Sequence, residues 1–161
     1  MPPELPSLPP ARPAEARALT AALELLATRR NGSRIVATTV GRAQAAVALA
    51  QAAPASAVDC WFLDLFQQQL AVQALGNVPA NLSLSCQADL PTGPFQLAVI
   101  LTSKSGEAEL ARDQLQAATL ALEIGGTLVA AVDNPRPCAC ESASPAPRYP
   151  PCGVAAVCRH R

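Results

Sequence analysis

Apolar and polar positions form blocks along this chain, and the lengths of the blocks predict alternating strands and helices. Leu97–Leu101 and Thr127–Val132 are apolar runs too short to form helices of their own. Unbroken runs of this length are typical of strands covered on both faces, as in a parallel sheet. Residues 107–122 lie between them and are long enough for the crossover helix that parallel strands require. Gly125 and Gly126 then predict the end of that helix.

The same pattern continues upstream. Residues 14–30 place four apolar side chains on one helical face and end at Asn31-Gly32, a usual helix stop. The other predicted elements are a strand over 34–40, a helix over 43–53, a strand over 59–64, a helix over 65–75, a strand over 82–86 and a strand from 95. This alternation predicts an α/β fold with a doubly wound, mostly parallel sheet and right-handed crossovers.

Composition divides the chain into three segments. Residues 1–13 contain six prolines, which predicts a disordered arm. Residues 14–134 carry the predicted α/β domain. Residues 135–161 contain six prolines, four cysteines and four arginines with one acidic residue, which predicts an irregular tail. Within that tail only 153–158 has an apolar pattern that would suit a short strand.

Charge and hydropathy exclude some function classes. Lys plus Arg equals Asp plus Glu, at twelve each, so net charge gives no reason to expect nucleic-acid or membrane binding. The chain has no window near the roughly 20 apolar residues of a membrane-spanning helix. The proline-rich start lacks the pattern of a signal peptide. We therefore expect a cytoplasmic protein without a membrane partner.

The tail cysteines have three interpretations. The first is a zinc site, since thiolate and imidazole groups suit tetrahedral zinc. The candidate ligands are Cys138, Cys140, Cys152, Cys158 and His160. Their spacing fits known zinc sites poorly, and we expect no metal. Disulfides would need an oxidising compartment. The third interpretation, which we favour, is an out-of-frame reading of a GC-rich gene, and hence a truncated or frameshifted product. It fails if neither other frame continues an α/β pattern beyond codon 134.

Several segments carry a family resemblance. Asp64 ends the second strand, residues 88–91 read Ala-Asp-Leu-Pro, 95–99 read Phe-Gln-Leu-Ala-Val, and Leu122–Leu128 enters the fifth strand. This series resembles the class I S-adenosylmethionine-dependent methyltransferases. It is most similar to the N-terminal, non-catalytic domain of bacterial two-domain enzymes that methylate guanine N2 in small-subunit ribosomal RNA. The resemblance covers roughly residues 14–134. It implies a Rossmann-like methyltransferase fold, here truncated after the fifth strand.

The resemblance implies three cofactor-binding positions. Gly41 lies in the loop after the first strand, where such enzymes use glycines so that the backbone can approach S-adenosylmethionine. Asp64 matches the carboxylate that accepts hydrogen bonds from the ribose, or it caps the following helix. Asp89 matches a residue near the adenine amino group, or it is an ordinary loop residue.

The chain departs from the family at two places. The loop over 38–42 has one glycine where the family has two or three, and Arg42 is expected to project into the cofactor's space. After the fourth strand the family's Asn-Pro-Pro-aromatic motif is replaced by Thr-Ser-Lys-Ser-Gly at 102–106. We therefore expect no catalytic residue and no activity of the chain alone. The resemblance implies ribosomal RNA or a catalytic methyltransferase domain as partner. Alternatives are a small, cofactor-binding methyltransferase and a generic α/β interaction module.

Overall fold

A computed structural model describes residues 10–28, 32–103, 108–133 and 156–159. The helices are α1 (Pro13–Ala27), α2 (Gln44–Ala52), α3 (Leu65–Leu75) and α4 (Ala108–Ala121). The strands are β1 (Arg34–Ala37), β2 (Ala57–Phe62), β3 (Leu82–Cys86), β4 (Phe95–Ser103), β5 (Leu122–Asp133) and β6 (Ala156–Arg159).

The strands form a single sheet in the order β3-β2-β1-β4-β5-β6. The first five strands are parallel to one another, whereas β6 runs antiparallel to β5. The strand order reverses at β1, with β2 and β3 on one side of it and β4, β5 and β6 on the other. This confirms the predicted α/β fold with a doubly wound, mostly parallel sheet.

Helices cover both faces of the sheet. On one face, alanines of α1, α2 and α3 pack against the inward side chains of the parallel strands, including Ile35, Cys60 and Val99. On the other face, Ala118 of α4 packs near Val36, Trp61 and Ile100. The core is aliphatic and alanine-rich, as half-apolar composition with five aromatic residues requires.

The sheet has a sixth strand, β6, which overlaps the 153–158 stretch whose apolar pattern suited a short strand. Residues Ala156–Arg159 pair with Thr127–Ala130 in antiparallel register. The sequence suggested this strand but not its partner, because a four-residue strand in a proline-rich segment carries almost no periodic signal. Because β6 covers β5, the β5 backbone is not left as an unpaired edge along this stretch.

The join between α4 and β5 also differs from the prediction. Gly125 and Gly126 lie within β5 and do not separate the two elements. The register between β4 and β5 shifts between Phe95 and Leu97, and Gly125 has a φ of +83°. That backbone conformation is one that glycine adopts at little cost. The glycines therefore mark an irregularity in the strand rather than a helix stop.

Candidate functional site

A cavity of about 370 Å³ lies at the carboxyl ends of the parallel strands. This is the edge at which open α/β sheets hold ligands, where the strand order reverses. Its volume is within the range of ordinary small-molecule pockets. The residues that line it are Arg12, Thr39, Val40, Gly41, Phe62, Gln67, Leu101, Thr102, Ser103, Leu110, Ala111 and Gln114.

The loop that contributes residues 39–41 to the cavity leaves the sheet after β1, at Thr38. Thr38 is buried, its N–H donates to the Val99 carbonyl at 2.9 Å, and its hydroxyl donates to the Leu101 carbonyl at 3.1 Å. The same hydroxyl accepts the Leu101 N–H at 2.7 Å. A side chain thus extends the β1–β4 ladder by one more residue, so the following loop leaves the sheet from a fixed point.

The loop between β1 and α2 is held by hydrogen bonds to its own neighbours. The Thr39 hydroxyl accepts the N–H groups of Gly41 at 3.0 Å and Ala43 at 3.1 Å. The N–H of Arg42 donates to Gln44 Oε1 at 2.6 Å. Three consecutive backbone donors, those of Gly41, Arg42 and Ala43, are therefore satisfied by side chains of the same loop. Threonine hydroxyls commonly bind nearby backbone in this way.

Glu15 of α1 contacts the β1–α2 loop through its side chain. Its side chain is fully buried, and Oε1 accepts the Thr39 hydroxyl at 2.8 Å. Burial raises the pKa of Glu15 above its ordinary value, while the bonds from Thr39 and the Arg12 backbone lower it to a smaller extent. The pKa of Glu15 therefore lies above its ordinary value because its burial outweighs these stabilising contacts.

Arg12 links the start of α1 to the end of β5. Its Nη1 lies 2.8 Å from Asp133 Oδ2, and its side chain also lines the cavity. The sequence placed Arg12 in a disordered arm, but α1 begins at Pro13, so Arg12 is the N-cap residue. Proline at the first helical position is the signal that could have placed this boundary, but the prediction from the sequence includes Pro13 in the arm.

Cys60 contributes no nucleophile to this region. It is fully buried on β2, and burial raises the pKa of its thiol, with the nearby Glu15 carboxylate raising it further. Reactive cysteines have a lowered pKa and some solvent contact. Cys60 therefore acts as a small apolar core residue.

Of the three predicted cofactor-binding residues, the structure brings Gly41 alone into the cavity lining. A side chain at Gly41 would place its Cβ 2.6 Å from Gln44 Oε1 and 3.1 Å from Glu15 Oε2. The space beside this glycine is thus taken by two side chains of the chain itself.

Asp64 and Asp89 are exposed and lie outside the lining. Asp64 Oδ1 accepts the Phe66 N–H at 2.8 Å, so Asp64 caps α3, which was one of its two predicted roles. Contact of either carboxylate with a cofactor stays a prediction.

Arg42 is not among the residues that line the cavity, which corrects the expectation that its side chain fills the cofactor's space. Its Nη1 is buried without a hydrogen-bond partner among the described residues. The groups that crowd the loop are Thr39, Gln44 and Glu15 instead. Sequence reasoning missed them because their roles depend on contacts between α1, the loop and α2, which periodicity does not reveal.

None of the helices in the described part of the chain is both long and apolar enough to span a bilayer. Across residues 10–28, 32–103 and 108–133, His, Cys, Asp and Glu side chains do not cluster in threes as metal ligands would. The tail residues Cys138, Cys140, Cys152 and His160 lie outside the described residues, as does the side chain of Cys158.

No protein-family profile matches this chain, and no curated protein resembles it in sequence. Solved structures do match it. TrmN from Thermus thermophilus superposes with a TM-score of 0.56 at 22% identity, over 73% of this chain and 38% of TrmN. An O-methyltransferase of a Brevibacillus brevis multienzyme, solved with S-adenosyl-L-homocysteine, superposes with a TM-score of 0.56 at 16% identity, over 73% of this chain and 40% of its own.

These likenesses define the fold, which is that of the class I S-adenosylmethionine-dependent methyltransferases. The [4+2]-cyclase SpnF also matches, with a TM-score of 0.54 at 20% identity, over 70% of this chain and 44% of the cyclase. A cyclase and methyltransferases share this architecture, so the fold by itself does not fix the reaction. The chain spans less than half the length of these three proteins.

Proposed function

We propose that this chain is a non-catalytic, methyltransferase-like domain of the kind found in ribosomal RNA guanine-N2 methyltransferases, and that it supports a catalytic partner domain in the cytoplasm. The composition of the cavity carries the proposal. Within the described residues, the one ionisable side chain in the lining is Arg12, which is paired with Asp133. A general acid or base must reach the reacting group and titrate near the working pH. Arginine does neither job, because it stays protonated.

The end of β4 supports the same conclusion. Thr102 and Ser103 supply short hydroxyl side chains to the cavity, and the sequence continues with Lys-Ser-Gly. Enzymes that act on a nucleobase hold it by stacking against aromatic or apolar side chains. The aromatic residue in the lining is Phe62 of β2, and it is 4% exposed, so its ring offers almost no face to a base.

An exposed apolar surface on α3 supports the proposed partner. We call it the α3 surface; it consists of Leu63, Leu65, Phe66 and Val72, each at least 43% exposed. The one fully buried residue of α3 is Ala71, so this helix hides little of its apolar side-chain area. Clustered exposed apolar residues are typical of protein–protein contacts. A partner domain seated on α3 would cover them.

Two measurements on the full chain test the non-catalytic role. Incubation with methyl-labelled S-adenosylmethionine and small ribosomal subunits should give label incorporation equal to that of a control without protein. Calorimetric titration with S-adenosylmethionine should give no heat at millimolar concentration. Saturable micromolar binding with methyl transfer would contradict the proposal and favour a small methyltransferase active on its own.

The partner role is tested separately. A downstream reading frame that encodes an Asn-Pro-Pro-Phe methyltransferase domain should yield a protein that co-elutes with this chain in equimolar amounts. Absence of co-elution with that purified domain would contradict the supporting role and leave a generic interaction module.

A further inference from the structure

S-adenosylmethionine is the cofactor that the fold family implies, and the residues of the β1–α2 loop do not fit it. In a cofactor-binding loop, glycines let the backbone approach the ligand and leave its N–H groups free to donate. Here the N–H groups of Gly41, Arg42 and Ala43 already donate to Thr39 Oγ1 and Gln44 Oε1. These three donors therefore have no hydrogen left for a ligand in this conformation.

The space beside the loop is filled as well. Gln44 and Glu15 occupy the position that a side chain at Gly41 would take. Glu15 is fully buried, and the Thr39 hydroxyl ties it to the loop at 2.8 Å. The contacts run from α1 through Thr39 to the start of α2, so opening the loop requires breaking several of them together.

The backbone conformation at the end of the loop is unusual for a residue with a side chain. Ala43 has a φ of +63°, the left-handed conformation that glycine adopts without strain. Among the described residues, Ala43 is the one non-glycine residue with a positive φ. A glycine would suit position 43 better than the alanine that is present.

We infer that the β1–α2 loop is closed on itself by Thr39, Gln44 and Glu15, and that this internal network excludes the cofactor from the cavity. The inference rests on the proposed non-catalytic function and names the residues responsible for it. Thr39 acts as the centre of the network, because its one hydroxyl accepts two loop N–H groups and donates to Glu15. Gln44 Oε1 accepts the third N–H group, that of Arg42.

The test uses the full chain with Thr39→Gly and Ala43→Gly together, and S-adenosyl-L-homocysteine as the titrant in calorimetry. Removing the hydroxyl frees two backbone donors, and glycine at 43 lets the loop move. The unsubstituted chain should show no binding at millimolar ligand. The double variant should bind saturably, a gain of at least about tenfold in affinity. Thr39→Ser, which keeps the hydroxyl, is the matched control and should show no gain.

The outcomes separate this inference from the proposed function. A double variant that folds, as judged by its melting curve, and still fails to bind overturns the inference and leaves the non-catalytic role untouched. Binding by the unsubstituted chain overturns the inference, while methyl transfer by that chain overturns the proposed function. If the double variant does not fold, Gln44→Ala replaces it, since this change frees the Arg42 N–H and the space beside Gly41. A folded Gln44→Ala protein without a gain in binding also overturns the inference.

Discussion

At the scale of single residues, Ala43 adopts a backbone conformation that favours glycine. Its side chain is fully buried and its φ is +63°. An L-residue in this conformation costs roughly 1–2 kcal/mol. Glycine removes that strain but adds about 0.4–1 kcal/mol of unfolded-chain entropy. The strain exceeds the entropy effect by at most about 1.6 kcal/mol, and loss of the buried methyl group, about 0.8 kcal/mol, offsets part of that difference.

We therefore expect Ala43→Gly to leave the free energy of unfolding unchanged or to raise it by up to about 1 kcal/mol. The matched control is Ala48→Gly in the interior of α2, where glycine should lower the free energy of unfolding by about 1 kcal/mol. Urea denaturation of both variants measures the contrast. Equal losses in the two variants would contradict the strain at position 43.

Glu15 gives the chain a pH dependence with a definite sign. Burial raises the folded-state pKa of Glu15 above the ordinary 4.5. The stability that goes with its protonated form is therefore complete below pH 4.5 and is lost as the pH rises through the folded pKa. Glutamine resembles the protonated carboxyl in shape and does not titrate.

We expect the stability of Glu15→Gln relative to the unsubstituted chain to increase as the pH rises above 4.5, up to a plateau beyond the folded pKa. Glu24→Gln, on the exposed side of the same helix, should show no such trend. Denaturation midpoints between pH 4 and pH 8, in the range where carboxyls and their shifted forms titrate, give both profiles. Parallel profiles for the two variants would argue against a buried, proton-binding Glu15.

At the scale of secondary-structure elements, α3 depends on its N-cap more than on burial. Asp64 Oδ1 accepts the Phe66 N–H, and Ala71 is the one fully buried residue of the helix. A helix with so little packing gains proportionally more from its cap. Removal of an Asp cap costs about 1 kcal/mol, and asparagine is an equally good cap.

Asp64→Ala should therefore lower the free energy of unfolding by about 1 kcal/mol, whereas Asp64→Asn should stay close to the unsubstituted chain. Chemical denaturation followed by circular dichroism compares them. If the asparagine variant loses as much as the alanine variant, the carboxylate has a role beyond capping, such as the ribose contact that the family resemblance implies.

The sequence predicted most elements of this fold because apolar blocks of the right length are local signals. The bounds of α3 and β3 match the prediction to the residue, 65–75 and 82–86. β6 could not be predicted with the same force, since a strand of four residues is recognised by its partner, here Thr127–Ala130 of β5, and not by its own sequence. Similarly, Gly41 was predicted as a site residue from its position, while Thr39 and Glu15 became visible when α1 and the loop were placed together.

At the scale of the whole molecule, the α3 surface lies beside the cavity. The α3 surface begins at the carboxyl edge of the sheet, next to the cavity, whose lining includes Phe62 and Gln67 on either side of Asp64. Leu65 and Phe66 are 58% and 62% exposed, so they add little to the stability of the isolated chain.

We expect Leu65→Ser with Phe66→Ser to leave the free energy of unfolding within about 0.5 kcal/mol of the unsubstituted value. The same double variant should lose co-elution with the catalytic partner domain and should self-associate less, as measured by light scattering. Leu120→Ser is the matched control, because Leu120 is 84% exposed at the far end of α4. If the α3 double variant still co-elutes with the partner domain, the α3 surface is not the binding site.

Our central conclusion is that side chains of this chain already accept the hydrogen bonds of the β1–α2 loop N–H groups. Amide hydrogen exchange tests this directly. The N–H groups of Gly41, Arg42 and Ala43 should be protected in the full chain without ligand, because all three donate to side chains of the loop. Millimolar S-adenosylmethionine should not change their exchange rates. Rapid exchange of these amides in the free chain, slowed in a saturable way by the cofactor, would contradict the account.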